Sequence, residues 1–332
     1  MGVGHQVHAF ANALARRGHA VHVFSRYPAP EDALYGATVV PVGRRLRTFQ
    51  FAWHLRDVDF SGFDVLHAHG DDYWLWSNKR PPRVRTMHGS CLVEAVHVPG
   101  AANRLRMLAL YAAELLSACV ADRTVCVSHD TLKYYPRLRQ VIPNGVNLDA
   151  FHPGEKEPVP TMLFVGTYGN RKRGKLLMEL FANQIRPQVP NARLWMVCSD
   201  APAAQGVRVF GRVDENVLTE LYRRAWVFCL PSSYEGFGLP YIEAMASGTA
   251  VVATPNAGAR EVTREGRDGL LAADDKLGET LVRVLQDAAL RTRLREAGLA
   301  RAQDFSFERV CAAYEAVYAE LIAKRAGRPA AR

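Results

Sequence analysis

Along this chain, short apolar runs alternate with longer stretches whose apolar positions recur every three to four residues. Val7, Phe10, Ala11 and Leu14 keep the helical period, and Gly18 stops that helix. Residues 19–24 (HAVHVF) then read as a strand, as do 37–42, 63–69 and 84–90. Residues 102–118 form a long helical stretch. Residues 123–128 are a strand, and 140–146 (QVIPNGV) are a last short one. Strands alternating with helices predict parallel β-α-β units, in which ligands sit beyond the carboxyl ends of strands. His69, His88 and Ser128 stand at such ends.

The segment NLDAFHPGEKEPVP breaks this rhythm with proline and charge and reads as a linker. The pattern then restarts. Residues 161–167, 192–198, 207–213 and 226–232 read as strands, and the tail FSFERVCAAYEAVYAELIAKR is an amphipathic helix. Two similar α/β domains in tandem follow. Residues 1–150 make the first, 151–305 the second, and 306–332 a C-terminal helix that crosses back to brace the first.

Composition narrows the class. The chain has 332 residues, with 48% hydrophobic and 23% charged, as a globular protein needs. No apolar run is long enough to span a bilayer; the best candidate, 107–121, is short and contains Glu114. The start MGVGHQVHAF lacks the basic-then-apolar form of a signal peptide, so a cytoplasmic location is expected. Cys91, Cys119, Cys126, Cys198, Cys229 and Cys311 form no CxxC pair and read as reduced core residues. The formal charge of +9 suits an anionic partner. The arginines are scattered and no nucleic-acid-binding signature is present, so nucleic acid is not the expected one. The basic aromatic segment 44–56 (RRLRTFQFAWHLR) suits either a helix packed on its own sheet or contact with an anionic membrane face. His67 and His69 share one strand face, but no carboxylate pattern beside them supports a metal site.

The most informative stretch is YEGFGLPYIEAMASGTAVVATP, residues 234–255. Gly236 and Gly238 permit backbone angles closed to other residues, and Pro240 fits the first position of a short helix. Gly248 fits the stop, and residues 250–253 read as a buried strand. Glu235 then lies in the loop and Glu243 in the helix's first turn. A helix N-terminus binds phosphate, and carboxylates beside it accept hydrogen bonds from sugar hydroxyls. That pairing suits a nucleotide sugar. Taken alone, the two glutamates read sooner as ordinary acids near a helix start, worth ~0.3–1 kcal/mol through the dipole, and it is the surrounding sequence that turns the reading.

Three motifs in this order, VIPNGVNLDAFHP, the basic turn after LFVGT, and the Glu-x(7)-Glu stretch above, resemble the retaining glycosyltransferases of family 4. The resemblance covers nearly the whole chain. It implies a GT-B fold, two Rossmann-like domains with parallel sheets facing across a cleft. It further implies metal-independent transfer of a hexose from a nucleoside-diphosphate sugar, UDP- or GDP-linked, with no other cofactor. By resemblance, Glu235 meets hydroxyls of the donor sugar and Glu243 meets the ribose. The backbone of Phe237, Gly238 and Leu239 approaches the sugar and diphosphate, and Val213 joins the donor-binding set. His88 contacts the donor sugar near the reacting carbon. The family's arginine after the strand is replaced here by Thr167. Arg173 stands where a lysine is common, with Arg171, Lys172 and Lys175 beside it, so which cation holds the diphosphate stays open. Gly2 and Gly4 match the family's N-terminal glycine loop. The strand that usually precedes this loop is missing from the sequence, so a misassigned or truncated start is expected. Two other readings are a sugar-nucleotide-binding or scaffolding protein without activity and a GT-B sugar phosphorylase. The acceptor is a hydroxyl on a glycan, lipid or small molecule. A peripheral position at the inner membrane face is compatible with the lipid case.

Overall fold

The computed structural model describes residues 2–43, 47–75, 80–98, 100–135 and 138–327. The chain divides into two compact units. One comprises Met1–Gly145 with Phe307–Arg332, and the other is Val146–Ser306.

The first unit opens with α1 (Val3–Arg16), followed by the parallel pair β1 (His22–Ser25) and β2 (Gly36–Val39). Next come α2 (Arg47–His54), β3 (Leu66–Ala68), β4 (Arg83–Met87), α3 (Cys91–His97), α4 (Ala101–Val120), β5 (Arg123–Cys126) and α5 (His129–Leu132). Strands β3, β4 and β5 form a parallel three-stranded sheet separate from the β1–β2 pair. Of the basic aromatic segment, residues 44–46 lie outside the described residues. The rest forms α2, which buries Phe51 and Ala52.

The second unit holds β6 (Thr161–Val165) and α6 (Gly174–Leu180), which runs through a π turn into α7 (Arg186–Gln188). It continues with β7 (Arg193–Val197), β8 (Val207–Val209), α8 (Glu215–Arg224), β9 (Val227–Leu230), α9 (Leu239–Ala246) and β10 (Ala250–Ala253). It closes with α10 (Ala257–Thr263), β11 (Leu270–Leu271), α11 (Asp274–Gln286) and α12 (Ala288–Ala302). Its six strands pair in parallel in the order β11-β10-β9-β6-β7-β8. The runs VFCL and AVVA are buried at every position, as central strands covered on both faces require. Side chains set the helix starts. Asp214, Asn256 and Asp287 each accept a backbone N–H in the first turn of α8, α10 and α12.

The last helix, α13 (Phe307–Ala326), belongs to the first unit. Val310, Cys311, Tyr314, Val317 and Leu321 pack against Phe10, Leu14, Val84 and Val125. Among the described residues no helix is long and apolar enough to cross a membrane.

Several sequence expectations need correction. Residues 140–146 are not a strand. Val141 and Val146 make only isolated bridges, because Pro143, between them, has no N–H to donate. The strand expected over 207–213 ends at Val209; Gly211, with φ +65°, breaks the extension, and Val213 falls just before the cap of α8. The expected linker is strapped down instead. Phe151 is buried, and Lys156 Nζ donates to the carbonyl of Arg223 and to Thr249 Oγ1 at 2.8 and 2.7 Å. Cys119 is exposed, not part of the core. Gly4 lies inside α1 and not in a loop, and only Gly2, the extended N-cap, precedes that helix. Pro240 is the second residue of α9, and Glu243 lies beyond its first turn.

Candidate functional site

The turn from β9 to α9 carries Glu235, Phe237 and Gly238 and leads into Leu239 and Glu243 of α9. Gly238 caps α9 with φ +96°, in the left-handed region where a side chain is strained, and a Cβ there would meet the Tyr241 ring at 2.5 Å. Phe237 turns its ring inward, 5.8 Å from Phe305 in an edge contact. Leu239 begins α9, where the first N–H groups lack partners within the helix.

Glu235 is 5% exposed and Glu243 is 4% exposed, so neither is an ordinary surface acid. Lys172 Nζ lies 2.7 Å from Glu235 Oε1, and Arg171 Nη1 lies 3.5 Å from Oε2. Arg171 also donates to the Tyr234 carbonyl at 2.9 Å, and its own carbonyl accepts from Ser232 Oγ and Ser233 N–H. The basic turn is therefore stitched to the loop that carries Glu235. Glu243 sits differently. Burial pushes its carboxyl up to about 7, with the nearby Tyr222 hydroxyl partly offsetting this, and among the described residues Oε2 has no hydrogen-bond partner. A buried acceptor without a partner is costly, and a ligand hydroxyl would satisfy it.

The other two cations point elsewhere. Arg173 has a left-handed backbone with φ +53°. It donates to the Pro231 carbonyl and grips Asp274, at the start of α11, through both terminal nitrogens at 2.6 and 2.9 Å. Lys175 is exposed and lies 3.9 Å from Glu179. Of the four cations, Arg171 and Lys172 are the pair brought to Glu235.

Sequence reasoning passed over three residues that hold this loop. Gly258 donates its N–H to the Glu235 carbonyl at 2.9 Å, and a Cβ there would lie 2.7 and 2.8 Å from the carbonyl oxygens of Phe237 and Glu235. Asn256 caps α10 and donates to the Ser232 carbonyl, as does Thr254 Oγ1 at 2.7 Å. Their only signal was a turn-like TPNAG run.

The first unit places His88 just after β4, where the strand-end argument expects it. His69 Nδ1 and His88 Nε2 are 3.0 Å apart, so the proton shared by these two nitrogens ties the tautomer of one ring to the other. A side-chain bond with Asn144, in the PNGV motif, opposes the burial that lowers His88 to about 4. His67 is fixed by Tyr318 OH at 2.6 Å and Thr86 Oγ1 at 2.8 Å, and burial lowers it to about 3. All three imidazoles are neutral near pH 7. Among the described residues no cluster could hold a metal ion. Gly2 and Gly4 open α1, and a Cβ at either would meet open space.

Residues 1–150 match the model of "Glycosyltransferase Family 4", and residues 159–287 match that of "Glycosyl transferases group 1". Together the two models span most of the chain and support a family 4 type of glycosyltransferase. The chain is 29% identical over 313 residues to the D-inositol 3-phosphate glycosyltransferase of Geodermatophilus obscurus, covering 79% of this chain and 68% of that one. It is 31% identical over 199 residues to the phosphatidyl-myo-inositol mannosyltransferase of Mycobacterium tuberculosis. That match spans about half of each chain, 53% in both. Among solved structures, sucrose-phosphate synthase from Thermosynechococcus elongatus matches with TM-score 0.79 at 24% identity, covering 98% and 94% of the two chains. Anabaena HepE in complex with UDP and glucose matches with TM-score 0.75 at 16% identity, covering 96% of each. The chain thus has the GT-B α/β fold. In the turn 171–173, the cation nearest Glu235 is Lys172, while Arg173 is held by Asp274.

Proposed function

We propose that this chain transfers a hexose from a nucleoside-diphosphate sugar to an acceptor hydroxyl, with retention of anomeric configuration and without a bound metal. The supporting observation is the pair of buried carboxylates on either side of one glycine turn, one paired with cations and the other with an unpartnered oxygen. Glu243 Oε2 would accept from a ribose hydroxyl. Glu235, held by Lys172 and Arg171, would accept from hydroxyls of the donor sugar. The N-terminus of α9, with the backbone of Phe237, Gly238 and Leu239, would take the diphosphate.

The bond from the anomeric carbon to the phosphate oxygen breaks, and the acceptor oxygen bonds to that carbon on the same face. The acceptor proton passes to the departing phosphate oxygen. The protein's contribution is then electrostatic, with Lys172 and Arg171 stabilising the charge that grows on the leaving diphosphate. Among the four cations left open by the sequence, this reading gives the catalytic role to Lys172, with Arg171 beside it, and not to Arg173. His88 keeps the role at the donor sugar that the resemblance implies, as a neutral ring. Lys175 and Val213 are at most peripheral to this set.

UDP is the favoured nucleotide, since the HepE structure holds it, with GDP as the alternative. The names of the two relatives favour an inositol-bearing acceptor. The deciding experiment incubates the chain with UDP- and GDP-sugars and an inositol phosphate series, with and without EDTA. Diphosphate release that depends on acceptor, survives EDTA and yields the donor's anomer supports the reading. Nucleotide binding with no release from any donor would replace it with a binding role. Cleavage that needs inorganic phosphate and no nucleotide would replace it with a phosphorylase.

A further inference from the structure

Helix α4 is the longest element of the chapter of sequence between β4 and β5, and only one of its faces is used. Met107, Leu110 and Ser117 are buried, and Met107 and Leu110 join Ala52 of α2 and Ala95 of α3 in one cluster. The opposite face is exposed and carries Ala102, Leu105, Ala109, Ala112, Leu116 and Cys119. These positions alternate steps of three and four residues, the spacing of a helix–helix seam. Leu105 is 70% exposed and Leu116 is 42% exposed. A solvated helix normally places charge on that face. Between Met107 and Val120 the sole charged residue is Glu114. It is turned from the seam and accepts from Tyr135 OH at 2.8 Å and from the Cys91 N–H at 3.1 Å.

We propose that this face pairs with the same face of a second copy of the chain, the two α4 helices running antiparallel. Two observations select this occupant. The first is symmetry. Antiparallel pairing sets Leu105 against the second copy's Leu116, and Ala109 against its Ala112, so the stripe complements itself with small residues at the crossing and leucines outside. The second is charge. Arg104 and Arg106 stand near the positive N-terminal end of α4, which has no acid in its first turn. Its negative end has no base in the last turn and is followed by the exposed Asp122. Every one of these charges opposes the helix's own dipole. Among the described residues neither arginine has an ion pair within its own chain. In the antiparallel pair, each copy's arginines meet the other copy's carboxyl end and Asp122, so the mismatch becomes complementarity. A membrane-lying helix would carry bases along its flanks and bulky residues throughout. Here the bases sit at one end and the middle is alanine.

A single helix pair buries little area, so association is concentration-dependent and at the weak end. The test measures molar mass of the full chain across a concentration series by sedimentation and light scattering. The expected result is a rise to twice the chain mass, abolished in a Leu105→Glu, Leu116→Glu double variant that keeps the wild-type far-UV circular dichroism. Orientation has its own test. Ala102→Cys places a thiol opposite Cys119 of the second copy, so mild oxidation should give a disulfide-linked dimer. The wild type, whose two Cys119 residues lie at opposite ends, should not cross-link. A chain that stays monomeric throughout overturns the proposal. So does cross-linking of wild type through Cys119, which marks a parallel pair. Sedimentation of a monomeric wild type with phosphatidylglycerol vesicles, lost in the double variant, overturns it in favour of a lipid surface.

Discussion

At the scale of single residues, the two glutamates of the α9 turn have opposite electrostatics, and each yields a distinct expectation. Glu235 is neutralised by Lys172 and Arg171. Replacing Lys172 with Ala should lower kcat about 10²-fold, the usual size for one electrostatic contact, with partial rescue by Lys172→Arg. Arg173→Ala should leave most of kcat in place, because its partner Asp274 is half exposed and such pairs contribute about 0–1 kcal/mol to stability. Steady-state kinetics of the three variants separates the two cations. Burial raises Glu243 to about 7, against the smaller opposing effects of the Tyr222 hydroxyl and the more distant Lys172 charge. Its folded form keeps a proton that the unfolded chain loses near pH 4.5, so unfolding releases a proton between those values. Stability therefore falls as pH rises from about 4.5 to 7, by up to about 3 kcal/mol. Denaturant titrations of Glu243→Gln should lack that fall, and a parallel pH profile in both proteins would show the carboxyl to be ionised throughout. The spacing of these glutamates was legible in the sequence because it is local. The division of labour among four cations in five residues was not, since Arg173's left-handed backbone and its reach to Asp274, a hundred residues on, decide it.

At the scale of elements, the donor loop depends on contacts between neighbours in space. The Gly258 N–H bonds the Glu235 carbonyl, and no side chain fits beneath that loop. Gly258→Ala forces Cβ against two backbone oxygens, so residues 235–238 must shift. The expected outcome is loss of UDP affinity by at least about tenfold, with the melting temperature lowered by only a few degrees. Calorimetric titration beside a thermal melt checks both. Strands β6, β7, β9 and β10 were legible because each is a short apolar run between turn residues. The strand placed over 140–146 failed on Pro143, and that over 207–213 failed on Gly211, where backbone chemistry overrode apolar pattern. The strapping of residues 151–157 onto the second unit left no local trace. Proline and charge read as a linker, while Lys156 is held by three carbonyl and hydroxyl acceptors far along the chain.

At the scale of the whole molecule, the first unit is the acid-sensitive one. His67 and His88 are lowered to about 3 and 4, and His69 is lowered well below the ordinary value, in each case chiefly by burial. An imidazole kept neutral when folded but protonated when unfolded removes stability as pH falls below about 6.5. Unfolding between pH 6.5 and 4 should therefore take up as many as three protons, and His69→Asn should reduce that uptake. Calorimetric unfolding in buffers of different ionisation heat counts them. The α/β class and tandem plan were readable from periodicity. That the strands of the first unit fall into two sheets was not, because strand pairing is a long-range property. That division has a consequence for the clock of amide exchange. The backbone N–H groups of Leu163, Val227–Leu230 and Val251–Ala253 lie in a six-stranded sheet with neighbours on both sides, and should exchange only through global opening of their unit. Those of His22–Ser25 and Gly36–Val39 belong to a two-stranded ribbon whose second strand is exposed at every residue. Deuterium should enter that ribbon orders of magnitude sooner, so among peptides that contain strands the earliest labelled would be those that begin just after Gly18.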